Sequence, residues 1–216
     1  MNRTHRLLCA FALLPIGLAS SAWTQTIEKT VNLKDQIFET SLASGATLRL
    51  HLRDGDFRVV GADTDVVSVR AEGKKLDEAR KVKIQEVRDG DNLNLTLSHV
   101  PKNELQVTIT IPRNTHLYAR MRGGELSVDG VVGNKDLALT AGDLNVGVGD
   151  ADEYAHVDLK VKFGDISGSQ FGDPRGEIGN SVQVDGPGQY QLQAHVFAGD
   201  LTLKEEESAP RHKFSL

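Results

Sequence analysis

A glycine followed by a carboxylate and then an apolar residue recurs five times in this chain, in RDGDFRVVG, RGGELSVDG, TAGDLNVGV, KFGDISG and FAGDLTL. Counting from Gly55, Gly124, Gly142, Gly164 and Gly199, the residues five and three places earlier are Leu50 and Leu52, Ala119 and Met121, Leu137 and Leu139, Leu159 and Val161, and Ala194 and Val196. Two places later stand Phe57, Leu126, Leu144, Ile166 and Leu201. Four places later stand Val59, Val128, Val146, Gly168 and Leu203, of which only Gly168 departs from the pattern. Alternation that runs into a glycine and resumes beyond it describes a half-buried strand, a corner and a second half-buried strand. The glycine is required where the corner takes a positive φ or lets another backbone approach closely. A second glycine closes the unit six places on, at Gly61 and Gly130. Asn180 reads as a degenerate copy with Val182, Val184 and Gly186 in phase, since Asn tolerates left-handed backbone better than most residues.

From Gly124 onward the copies are spaced by roughly twenty residues, unequally, as expected when each winding is one coil and loops of varied length bulge from it. The predicted fold is therefore all-β: a single-domain β-solenoid in which each corner stacks on its equivalent in the next coil. The alternative is a β-sandwich of hairpins with Gly-Asp turns. Between Gly61 and Gly124 the repeat lapses. There DVVSVRAEG reads as a strand, KKLDEARK as one or two helical turns, VKIQEVRDGDNLNLTL as two strands joined at Asp89-Gly90, and ELQVTITIP as a strand stopped by Pro112. This less regular N-terminal sheet is expected to cap the coils.

The ends set the address. Arg3 and Arg6 precede an apolar run from Leu7 to Leu18 and small residues ending in Ser20-Ser21-Ala22, the pattern of a secretory signal peptide cleaved after Ala22. The run is too short to span a bilayer, which needs roughly 20 residues. Cys9 lies inside it, not at a lipoprotein cleavage point, and residues 23–216 hold no cysteine for a disulfide or thiolate. The organisation expected is a signal peptide at 1–22, a lead-in at 23–44, the repeat domain at 45–204 and a charged tail at 205–216 that frays. An exported protein, periplasmic or extracellular, with no stable membrane span after cleavage, follows. The net charge of −5 argues against a nucleic-acid partner, because phosphate binding needs a basic face.

The order of the pieces resembles the bacterial putative-adhesin or toastrack-like domains, related in style to head-GIN adhesin-like domains: LRLHLRDGDFRVVG, a hairpin around DGDNLNL, VTITIPRNTHLYARM, then GGELSVDG, AGDLNVGV and FGDISG. The resemblance covers roughly residues 45 to 204. It implies a β-solenoid-like envelope domain with no catalytic residues. This chain departs from the membrane-tethered members, because no apolar anchor follows the domain.

The carboxylates after the glycines, Asp56, Glu125, Asp143, Asp165 and Asp200, are expected to accept backbone N–H bonds at the corners; a calcium ladder is the less favoured reading, because the nine-residue repeat that completes such sites is absent. His51 and His195 share one offset and His116 and His156 another, all on the polar strand face, but Arg120 and Lys160 occupy intervening copies and a cation between the first pair would be repelled. No metal or cofactor site is expected. Arg120, Arg122, Lys160 and Lys162 form a candidate basic strip for an anionic surface polymer or the carboxylates of a partner protein. No catalytic residue is assigned, since the chain has no G-x-S-x-G, no H-E-x-x-H and no P-loop. The expected function is a non-enzymatic, adhesin-like interaction module of the cell envelope or surface. The alternatives are a carbohydrate-active β-helix enzyme, whose carboxylates come from distant coils, and a self-associating structural envelope protein.

Overall fold

The computed structural model describes residues 25–74, 76–101, 104–168, 170–176 and 179–206. The signal peptide and the end of the charged tail, residues 207–216, lie outside them. Fourteen strands follow one another among the described residues. The first seven are β1 (Gln25–Val31), β2 (Phe38–Ser41), β3 (Thr47–Ala62), β4 (Val66–Gly73), β5 (Val82–Asp89), β6 (Asn92–Ser98) and β7 (Leu105–Pro112). The rest are β8 (His116–Asp129), β9 (Lys135–Val148), β10 (Tyr154–Phe163), β11 (Ile166–Ser167), β12 (Asn180–Asp185), β13 (Tyr190–Ala198) and β14 (Leu201–Glu205). Two short 3-10 helices, Leu76–Lys81 and Ala151–Glu153, complete the described elements, so the helical turn expected in KKLDEARK is a 3-10 turn. All strands belong to one mixed sheet.

Its middle is a parallel ladder. β3 pairs with β8 and β8 with β9, placing Gly55 beside Gly124 and Gly124 beside Gly142. β13 continues the ladder on β9, and β10 lies on β13. The fifth copy is thus inserted between the third and the fourth, and the spatial order of the corners is Gly55, Gly124, Gly142, Gly199, Gly164. Sequence order alone gave no warning of this exchange. Asn180 is corrected more sharply. It opens β12, which runs antiparallel to β10 with Val182 opposite Leu159 and Val184 opposite Val157, so it does not repeat the corner. Its side-chain amide instead donates to the Gly164 carbonyl (2.9 Å) and to Asp165 (3.2 Å), closing the end of the glycine column.

The corners explain the core. Leu52 and Phe57 are five residues apart, an odd number, and in a flat strand they would face opposite sides. Both are buried, as are Met121 with Leu126 and Leu139 with Leu144. The strand must therefore bend between them so that both faces look into one interior. The five corner glycines do this with φ from +109° to +140°. Beyond the bend β3 and β9 each change one neighbour, β3 pairing with β6 before Gly55 and with β7 after it, β9 with β13 before Gly142 and with β14 after it, while β8 between them keeps both. At Gly142 a Cβ would also fall on the Gly124 carbonyl oxygen of the adjacent strand, so the column fits no side chain there.

Inside, equivalent positions stack in rows. Leu50, Ala119, Leu137, Ala194 and Leu159 are neighbours in that order, large alternating with small, and all are 0 or 1% exposed. Burying each leucine is worth about 2 kcal/mol before entropy. The row Leu93, Leu48, Leu117, Lys135, Leu192, Val157 is apolar except for Lys135. On the β3 side the ladder is capped by β6, β5 and β1 on one wall and by β7, β4 and β2 on the other, where β5, β1, β4 and β2 pair antiparallel. The hairpin at Asp89-Gly90 and the buried stripe Leu105, Val107, Ile109 and Ile111 form as the sequence predicts.

Candidate functional site

The strand residues four and two places before each corner glycine face outward, by the same alternation that buries their neighbours. In spatial order the first of these rows reads His51, Arg120, Ala138, His195, Lys160 and Ser181. Lys160 therefore lies beyond His195 and not between the two histidines; Arg120 and Ala138 do. Three of the four histidines singled out from the sequence have local partners: His195 Nε2 is 3.3 Å from Asp158, His156 Nδ1 is 2.6 Å from Asp185, and His116 Nδ1 accepts from the Asn134 N–H at 3.1 Å. Among the described residues no three His, Cys, Asp or Glu side chains come together as a metal site. Two of the five corner carboxylates accept backbone N–H bonds, from the neighbouring copy: Asp143 from Asp200 N–H (3.3 Å) and Asp200 from Asp165 N–H (2.9 Å); Glu125 accepts from the Asn145 side-chain amide and Asp165 from the Asn180 side-chain amide.

The four basic residues of the predicted strip are divided by two strands. Arg120 and Arg122 are on β8, Lys160 and Lys162 on β10, and β9 and β13 run between them. Three of the four are engaged. Arg120 pairs with Asp136 at 2.8 Å and lies 3.6 Å over the Tyr118 ring, Arg122 pairs with Asp54, and Lys160 pairs with Asp158 at 2.7 Å. Burial on its own would raise the Asp158 carboxyl, but Lys160, Gln183 and His195 together hold it below the usual carboxylate range. Lys162 differs. Its ammonium sits 5.6 Å from the Phe163 ring and 5.0 Å from the Phe197 ring, with no ion pair among the described residues.

Phe163 and Phe197 were not singled out from the sequence, yet they are 56% and 50% exposed and meet edge to face, with ring centres 5.5 Å apart. Exposed large apolar side chains that touch one another are the unusual case on a protein surface. A signal was available: Phe197 occupies the outward place two before Gly199, where the other copies carry Arg53, Arg122, Thr140 and Lys162. Beside the pair opens a groove of about 560 Å³, lined by Ala138 and Thr140 of β9, His195 and Phe197 of β13, Lys160 and Lys162 of β10, and Asn180 and Ser181 of β12. That volume is in the range of ligand pockets, about 300–1,000 Å³.

No protein-family model matches the chain, and no curated protein matches it. A solved structure is similar, that of a "putative cell adhesion protein" from Clostridium sporogenes, at 13% identity and a TM-score of 0.48, covering 85% of this chain and 100% of that one. At that identity and score the likeness carries no residue and no role across. Among the described residues no helix is long and apolar enough to cross a membrane.

Proposed function

We propose that this protein is an exported, non-enzymatic, adhesin-like interaction module whose corner repeats wind as a solenoid-like stack and whose outer sheet face binds another protein or a surface polymer. The observation that carries the reading is the exposed Phe163–Phe197 pair with Lys162 above it, set beside the groove on strands β10 and β13. Aromatic anchors carry a large share of binding energy where an interface covers them. Lys162 and Phe197 are held by strands whose opposite faces are buried: Val161 and Val196 are 2% and 3% exposed. A face so supported loses little freedom on binding.

The test uses residues 23–216, presented to a panel of anionic polysaccharides, peptidoglycan and acidic proteins, with turnover of each polysaccharide followed alongside binding. Saturable binding without turnover, lost when Phe163 and Phe197 are both replaced by Ser, is expected. Turnover abolished by replacing one specific carboxylate would overturn the binding-module reading in favour of a glycan-active enzyme.

A further inference from the structure

Resting on the outer-face reading, we propose that the groove between β9, β13 and β10 takes an acidic peptide segment of another protein, with its carboxylates on Lys160 and Lys162 and an apolar side chain against Phe163 and Phe197. Charge complementarity is the first argument. The chain carries −5 overall, yet the described residues that line the groove include two lysines and a histidine and no carboxylate. Asp158, the partner of Lys160, has a side chain only 14% exposed and lies outside the lining. A cationic recess in an acidic surface draws anions.

The second argument separates a peptide from a glycan. Sugar chains are held by flat, bare aromatic faces. Here the two rings stand at 80° to one another, and the Lys162 ammonium lies 5.6 and 5.0 Å from their centres. The pair forms an angled corner beside an ammonium group and not a flat platform, which suits a carboxylate flanked by a compact apolar side chain. The β9 side of the groove carries small residues, Ala138 and Thr140, which leave room for that side chain.

The experiment is fluorescence anisotropy with the chain of residues 23–216 and a labelled peptide in which one Phe is flanked on each side by two Glu. Control peptides replace Phe by Ser or every Glu by Gln. Competitors are heparin-derived and polygalacturonate oligosaccharides. Saturable binding is expected, weakened about tenfold by Phe197→Ala or by Lys162→Gln, weakened by added salt, and unchanged by Ile37→Ala, which removes an exposed apolar side chain far along the sequence (58% exposed). Circular dichroism confirms that each variant folds. Absence of peptide binding, or binding indifferent to both Phe197→Ala and Lys162→Gln, overturns the inference. Oligosaccharide binding that these two variants abolish, with none of the peptide, also overturns it but leaves the outer-face reading intact.

Discussion

The parallel ladder and the antiparallel strands that cap it both depend on glycine, for different reasons. In the ladder, Gly142 has φ +121° and a Cβ there would meet the Gly124 carbonyl group of the next strand. In the cap, Gly90 turns the β5–β6 hairpin at φ +59°, and a Cβ there would have nothing within 4 Å. The first glycine answers to torsion and to the spacing of a stacked column. The second answers to torsion alone. A repeat can thus hold its residue type far more tightly than a turn that uses the same residue.

The largest effect expected follows from that contrast. Gly142→Ala should cost on the order of 4 kcal/mol, since it combines left-handed backbone strain with a backbone clash that no rotamer relieves; urea denaturation measures it, and a cost under about 1 kcal/mol would break the comparison. The intermediate effect tests the row that runs from cap to ladder. Lys135 is 2% exposed among leucines and donates to the Tyr154 hydroxyl at 2.8 Å. Burial pulls its pKa down to about 8, against the opposing pull of Glu206 and Glu153. The folded chain then releases this proton more readily than the unfolded chain, so stability rises with pH above about 8 and the gain is lost as pH falls back through that value. Tyr154, whose pKa burial raises well above the usual range, opposes this only above its unfolded value near 10. Between pH 7 and 10 the Lys135 contribution is about 2 kcal/mol. Lys135→Met should flatten that rise in denaturation curves taken at the two pH values. The smallest effect belongs to the cap: Gly90→Asn should change stability by no more than about 0.5 kcal/mol, because Asn enters the left-handed region at little cost.

Much of the interior was readable from side-chain type. Leu139, Val161 and Val196, placed inward by their offset from the glycines, are buried. Asp89-Gly90 announced its hairpin through turn chemistry, and the strict alternation of Leu105 to Ile111 announced its strand. The binding face was less readable. Arg120 and Lys160 share an offset, which suggested one strip, but β9 and β13 separate them. Phe163 and Phe197 are 34 residues apart with different offsets, and only the pairing of β10 with β13 brings them together.

Local sterics and polarity, which act within a few residues, wrote the corners, the buried rows and the outward rows into the chain itself. The neighbour of each strand is a long-range choice between nearly equivalent apolar edges, since every copy offers the same pattern to every other. Tertiary packing made that choice. It set β13 between β9 and β10, turned β12 antiparallel, and so built the aromatic pair and its groove.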